Sequence, residues 1–526
     1  MKSRVRPCLS LLSQPEFTTA AVWTPCDSRI DAVICQLEPS TGPSYGLTKS
    51  FSNASFEPGR PPFTQDETNP AAWSGLKPGL DFTLGNLQRS FLEIEEDSNL
   101  GILDVKLPFE QWDDEDGYIK LGAFVDRVER SYREDTFSNF GDNSSYVGEW
   151  DDPWSLVFPF ENNHEISEAL VDIDYDGEQD ITAWYGMIDL PLSPTLTMIG
   201  GARLESTSID IEVRGEDQAR WFPPGEFTPI SLNGDEADVA YSQHDVLPAL
   251  SLLYEPVPDV TLRAAYSETV ARQTFRELTP VLQQEFIGGP VFIGNPELEM
   301  SAVTNYDLRF DYRPHAGGLY SISWFQKDLD QPIELVQRVT ATEDFTTAVN
   351  YPTGQLSGFE FEIREDLSEY WDVVDGLSAG VNYTLIDSRV RISPEEEALL
   401  GGLGFQQRFR DMTNAPERLY NIFVTYDHED TETQLALFYT VRGDTLVAGP
   451  SIAASEFVPS IYEQEFDTLN FSLSKRWGKY MTLKFQAKNL TNPEIRRVFR
   501  SEFTEGDTLR ATFTRGREFS FGLIFA

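Results

Sequence analysis

Apolar and polar side chains alternate with a period of two along much of this chain, a spacing that puts successive side chains on opposite faces of a β-strand. From Asn305 to Arg313 the apolar set is Tyr306, Leu308, Phe310 and Tyr312, interleaved with Asn305, Asp307, Arg309, Asp311 and Arg313. Leu435, Leu437, Tyr439 and Val441 alternate with Gln434, Thr440 and Arg442, and Leu483, Phe485 and Ala487 with Thr482, Lys484, Gln486 and Lys488. The closing run sets Phe519, Phe521, Leu523 and Phe525 on one face against Ser520 and Gly522 on the other. Each such strand has one greasy face and one wettable face.

Turn signals separate the runs. Pro314–Gly318, Trp477–Lys479 and Arg515–Arg517 each read as a tight hairpin turn, whereas Ser131–Glu165, Arg214–Val239, Arg272–Glu299 and Ser388–Pro416 are longer connectors rich in Gly, Pro, Asn, Asp and Glu. Short turns at one end and long loops at the other are the asymmetry of outer-membrane barrels. The pattern predicts roughly eighteen to twenty strands from about residue 90 to the C-terminus. A sandwich rarely needs so many, and no fixed repeat points to a solenoid. The fold class expected is therefore all-β, a large antiparallel transmembrane β-barrel with lipid outside and water within. Its last strand is expected to close the sheet against the first, because unpaired backbone groups in lipid cost several kcal/mol each.

Composition narrows the partners. The 526 residues include 86 acidic and 41 basic side chains, a formal charge of -45, so phosphates are repelled and nucleic-acid binding through a basic patch is excluded. Outer-membrane lipid is the expected neighbour of the greasy faces. No run approaches the roughly 18 to 20 unbroken apolar residues of a membrane-spanning helix. The cysteines are Cys8, Cys26 and Cys35, and their absence downstream suits an oxidising compartment such as the periplasm. Lys2, Arg4 and Arg6 resemble the start of a signal peptide, but the apolar run after them is only Cys8–Leu12. Residues 1–89 are accordingly expected to be an irregular N-terminal region, truncated or misassigned, and residues 90–526 the barrel.

The chemistry on offer is sparse. His164, His244, His315 and His428 are scattered without ligand spacing, and no phosphate-cradling glycine loop occurs, so an enzyme is not expected. Asp172, Asp174, Asp176 and Asp180 around Gly177 resemble the opening of a calcium loop, although the twelfth position is Ala183 instead of a glutamate. The alternative is a solvated acidic turn entering a strand over 181–189. The acidic-aromatic stretches Asp113–Asp116 and Glu149–Trp154 read as interface anchors or as loop aromatics able to stack on a sugar.

A series of motifs then runs in a fixed order. Tyr185–Met187 and Ile199–Glu205 come first, followed by Asp245–Leu250, Leu262–Arg272, Phe275 and Pro280. Gly294–Leu298, Asn305–Leu308, Gly317–Leu319, Phe325–Leu329, Gly358–Glu362, Lys488–Asn492 and Gly516–Gly522 complete it. Over roughly residues 90–526 the chain resembles the barrel of TonB-dependent outer-membrane receptors. The resemblance implies the cell outer membrane of a Gram-negative bacterium and an incomplete version of a barrel of about 22 strands. It also implies uptake of a nutrient of the siderophore, vitamin or glycan class. A periplasmic energy-coupling protein of TonB type would be a partner only where a plug domain is supplied, and residues 1–89 offer no counterpart of one. A plugless passive pore, a non-functional receptor fragment and a secreted β-rich glycan-binding protein are the alternatives. The motif positions Arg263, Tyr266, Arg272, Gly294, Asn295, Pro296, Asn305, Tyr306, Gly358, Asn489, Leu490, Gly516 and Phe519 are expected to shape strands and turns rather than touch ligand. The chain departs from the family pattern at Gln273, where proline is usual, at Glu299–Ser301, and at its end, where the aromatic Phe525 is penultimate.

Overall fold

The computed structural model describes residues 48–49, 74–77, 87–111, 115–138, 146–149 and 167–525, apart from 225, 227, 285–290, 340–343, 372–373, 429, 454–455, 479 and 502–505. Most of the N-terminal region, and the tryptophans of Glu149–Trp154, lie outside the described residues.

One sheet dominates. Fifteen of its strands have eight residues or more: β1 (Leu87–Gln111), β2 (Glu115–Ser138), β3 (Ile173–Ser193), β4 (Leu196–Gly215), β5 (Val239–Val257), β6 (Val260–Ala271), β7 (Ser301–Tyr312), β8 (Leu319–Asp330), β9 (Thr353–Asp366), β10 (Leu377–Arg391), β11 (Arg418–His428), β12 (Thr433–Arg442), β13 (Phe466–Trp477), β14 (Met481–Lys488) and β15 (Glu518–Phe525). Each pairs antiparallel with the next. Fewer long strands form than the roughly eighteen to twenty the alternation predicts. The surplus segments, such as Ile333–Val339 and Ile495–Arg500, do become strands, but in small sheets within the connections.

Connections alternate in length. β3 and β4 are joined across Pro194–Thr195, β5 and β6 across Pro258–Asp259, and β13 and β14 across 478–480, whereas 272–300, 331–352, 392–417, 443–465 and 489–517 are long and carry their own structure. One expected hairpin is corrected. Gly516, at φ +79°, lies between the loop strand Thr508–Phe513 and β15, and β15 pairs with β14 instead. Gly516 therefore redirects the chain from a loop sheet into the wall.

Among the described residues no pairing joins the last strand to the first. Fourteen successive antiparallel pairings leave β1 and β15 running in the same direction, so an all-antiparallel wall closes only with an odd number of strands between them. Among the described residues, β1 has one further partner, the piece Thr48–Lys49 at Gln88 and Leu87, and β15 has none beyond β14.

Register explains the two faces. Leu252, Ala264, Leu308, Trp324, Phe359 and Leu385 form one continuous row across β5–β10, and all point to the same side. The neighbouring row on the other side reads Arg263, Arg309, Ser323, Glu360 and Thr384. The apolar side continues to Phe519, Phe521, Leu523 and Phe525 at one end and to Leu103, Val105 and Leu107 at the other, all exposed. A continuous exposed apolar face of this extent matches a lipid-facing belt, with the polar face lining a lumen. Trp371, Trp477 and Tyr480 sit beside the short turns, as an interfacial aromatic girdle does. No helix among the described residues is long and apolar enough to cross a membrane.

Strands β1–β5 are 19 to 25 residues long, about twice the 9 to 11 that span a bilayer. Their amphipathicity inverts part-way. On β3 the outward residues change from Trp184, Ile188 and Leu190 to Asp180, Glu178, Asp176 and Asp174. On β4 they change from Leu196, Met198 and Leu204 to Ser206, Ser208, Asp210 and Glu212. Beyond the switch it is the inward residues that are apolar. Ile173, Tyr175, Ile209, Ile211, Val213 and Val239 are buried, and Phe275, Leu278, Val281, Phe292 and Leu298 of the 272–300 connection pack against them together with Ala348. The largest core thus sits at the long-loop end, where connections fold inward against the projecting strands.

Candidate functional site

The lumen and the folded cap over it are the parts of this wall that can meet a solute. At the short-turn end Asp311, fully buried, is 2.5 Å from Arg263 and 2.8 Å from Arg309, and Arg309 reaches Glu362 at 3.0 Å. Higher up, Lys327 donates to Asn305 at 2.7 Å, while Lys120 lies 3.1 Å from Asp104, which also accepts from the Tyr185 hydroxyl. Near the cap, Glu205 is held between Arg203 at 2.6 Å and Arg272. A recess of about 460 Å³ opens in this wall, bordered by Lys120, Phe124, Tyr185, Arg203, Ser251 and Ser267. Opposite charges interleaved along the lumen hold the long side chains against the wall.

The cap has its own polar anchor. The loop strand Ile333–Val339 supplies Glu334, and Arg410 reaches it at 2.7 Å, with both side chains almost wholly buried. The Thr413 amide donates to the same Glu334 oxygen at 3.0 Å, and Arg410 also donates to the Asp411 carbonyl at 2.9 Å. The guanidinium sits 4.7 Å from the centre of the Tyr351 ring. Burial disfavours its charge, but Tyr351 and Glu334 beside it hold the pKa above the ordinary arginine value. Gln337 donates to the carbonyls of Gly449 and Pro459 at 2.9 and 2.8 Å, tying in a third connection. Connections 331–352, 392–417 and 443–465 are therefore locked to one another.

Two further joints yield direct tests. Gly177 on β3 faces the Phe275 ring, and a Cβ there would come within 2.6 Å of it. Gly177→Val is expected to unseat Phe275 and raise protease cleavage within 272–300 several-fold; unchanged cleavage would mean that the ring does not anchor the connection. At the other side of the cap, Arg500 donates to Asp507 at 2.8 and 2.7 Å and lies 2.8 Å from Asp444. Those hydrogen bonds hold the Asp507 carboxyl below its usual range. A folded pKa below the unfolded one gives stability that is present above the unfolded value and lost as pH falls through the folded value. Cleavage in 489–517 should be flat from about pH 8 to about pH 5 and rise only below about pH 4.

The residues singled out in the sequence are spread along the wall and not gathered in one place. Arg263, Arg272 and Asn305 face the lumen, and Asn305 also donates to Ser267 and Thr269. Tyr266 and Tyr306 lie on the lipid side, rings 5.5 Å apart, and Phe519 lies on that side over Phe485. Gly294 donates its amide to the Thr279 carbonyl at 3.0 Å, and a Cβ there would collide with that oxygen at 2.1 Å. Asn295 bonds Ala348 and Glu297, and Pro296 opens the turn that follows it. Gly358 leaves room for the Phe325 ring. Asn489, at φ +55°, donates to the Gly516 carbonyl at 2.6 Å, and the Leu490 amide bonds Leu469.

The calcium-loop reading of Asp172, Asp174, Asp176 and Asp180 is corrected. Asp174, Asp176 and Asp180 lie inside β3 and Asp172 just precedes it, so the set is strung out over about 26 Å and cannot converge on one ion. The carboxylates have partners already: Asp172 accepts from the Thr136 amide, Asp174 from the Glu134 amide, Asp176 meets Arg133 and Arg214, and Asp180 meets Arg127. Among the described residues no group of three or more His, Cys, Asp or Glu is placed to hold a metal ion. The sequence marks the Glu334–Arg410 anchor only by one acid set in the apolar run Ile333–Val336.

Known proteins share this architecture. The siderophore receptor PiuA from Acinetobacter baumannii superposes with a TM-score of 0.50 at 10% identity, over 84% of this chain and 57% of that one. The ferric yersiniabactin uptake receptor FyuA from Yersinia pestis gives 0.47 at 13%, over 84% and 57%. The ferric-catecholate import receptor Fiu from E. coli K12 gives 0.46 at 11%, over 83% and 54%. The chain thus spans a little over half the length of these receptors. No curated protein matches it by sequence. The family model described as "TonB dependent receptor-like, beta-barrel" matches residues 37–490, and with it the lipid-facing wall, ion-paired lumen and inward-folded loops identify this chain as a member of the TonB-dependent receptor β-barrel family of the Gram-negative outer membrane.

Proposed function

We propose that the chain serves as the barrel portion of an outer-membrane receptor that takes up a nutrient of the siderophore, vitamin or glycan class, and that it is not an enzyme. The observation that carries this reading is the arrangement at the long-loop end, where structured connections cover a lumen lined with ion pairs. A receptor needs a water-lined passage guarded on its outer side, and the cap meets that need. Coupling to a periplasmic protein of TonB type belongs to the reading only with a plug domain in place. A secreted glycan-binding protein fits poorly, because the apolar belt would be left in water.

The test is growth of a deletion strain with iron, cobalamin or a glycan as the single limiting nutrient. The expected result is a defect in one condition, restored by the gene. Equal growth in all conditions, with steady ion conductance of the purified barrel in planar bilayers, would assign it as a passive pore.

A further inference from the structure

The lipid-facing belt is not uniform. Across β4–β9 it carries a groove of about 660 Å³, centred on the row Leu252, Ala264, Leu308 and Trp324. Ala264 is the one small side chain in that row, so the wall dips between Leu252 and Leu308. Leu262 and Phe310 border it towards the short turns, and the paired Tyr266 and Tyr306 rings form a ledge one row above. Arg263 and Arg309 also border it, but their guanidiniums turn away to Asp311 in the lumen.

We infer that this groove holds a phospholipid acyl chain as a retained ligand, distinct from the freely exchanging lipid around the barrel. The inference rests on the family's placement of the wall in the outer membrane. The groove is continuous with the lipid-facing belt, so its neighbour is lipid. Apart from the Tyr254 hydroxyl and the Trp324 indole N–H, the side chains turned into it are apolar, so they offer little to a peptide backbone or a sugar that must satisfy its polar groups in hydrocarbon. A groove left empty would forfeit dispersion contacts along both walls, whereas a flexible hydrocarbon chain restores them.

Trp324 reports on the groove directly. Purified full-length protein in mild detergent is titrated with a phospholipid brominated on its acyl chains, and the fluorescence of Trp324→Phe is subtracted to isolate Trp324. Saturable quenching at about one lipid per chain is expected. Quenching that grows linearly with the lipid fraction would reduce the groove to ordinary annular contact and overturn the inference. Extracted lipid is then measured by mass spectrometry for the wild type and for Ala264→Trp, with Leu204→Trp, elsewhere on the belt, as control. Ala264→Trp should lose at least three-quarters of the retained lipid, with heat-modifiable migration intact. Equal retention would contradict the assignment, as would crosslinked dimers abolished by Ala264→Trp, which would make a second copy the occupant. Should Ala264→Trp fail to fold, the Trp324 titration decides alone. Loss of heat-modifiable migration in the wild type would instead count against the barrel itself.

Discussion

Arg410→Ala should loosen the cap while leaving the wall intact. The substitution strands Glu334, whose side chain is 1% exposed, with its charge uncompensated except by the Thr413 amide. Breaking a buried ion pair from one side costs about 3–5 kcal/mol. The effect is expected in hydrogen exchange of 331–352 and 392–413, with opening accelerated by at least about a hundredfold, the rate equivalent of that free energy. Heat-modifiable migration should stay as it is, since Arg410 pairs through its backbone with Val390 at the end of β10, and the pairings of the long strands with one another do not involve its side chain. Replacing both partners, Arg410→Met with Glu334→Leu, should recover most of the protection, because apolar residues of similar volume substitute for buried ion pairs at little cost. Unaltered exchange in the single variant would show that the pair does not hold the connections together.

The second large effect is on the belt. Leu308→Arg places a charge in the middle of the apolar row and should destabilise the reconstituted barrel by about 2–4 kcal/mol. Asp210→Lys, on the same outward side but above the switch point of β4, should change stability by no more than about 0.5 kcal/mol. Urea unfolding in lipid measures both. Equal losses at the two positions would contradict a membrane boundary between Leu204 and Asp210.

The wall was legible in the sequence because a period-two pattern survives in any strand with two environments. Which environment lies on which side was not. Ile209, Ile211 and Val213 alternate with Asp210, Glu212 and Arg214 in the same rhythm as Leu308 with Arg309, yet one apolar set faces an inward-folded loop and the other faces lipid. The acidic run from Asp172 resembles a calcium loop for a related reason. Its arginine partners Arg127, Arg133 and Arg214 come from the strands on either side, and only their register brings them together. Loop strands such as Ile495–Arg500 mix apolar and charged residues over a strand's length, as the wall does, and so add to the number of strands the sequence predicts. The glycines were the most informative single residues. Gly294 and Gly358 sit where backbone or an aromatic ring occupies the space of a Cβ, a structural demand that holds whatever the ligand.

The membrane boundary rests on a change of outward character part-way along single strands. It can be tested on β3 with single cysteines at 174, 176, 178, 180, 184, 186, 188 and 190, after Cys8, Cys26 and Cys35 are replaced, in protein residing in outer membranes. Labelling by a membrane-impermeant maleimide is expected at 174–180 and protection at 184–190, where only a lipid-soluble reagent reacts. Uniform labelling along the whole strand would contradict it.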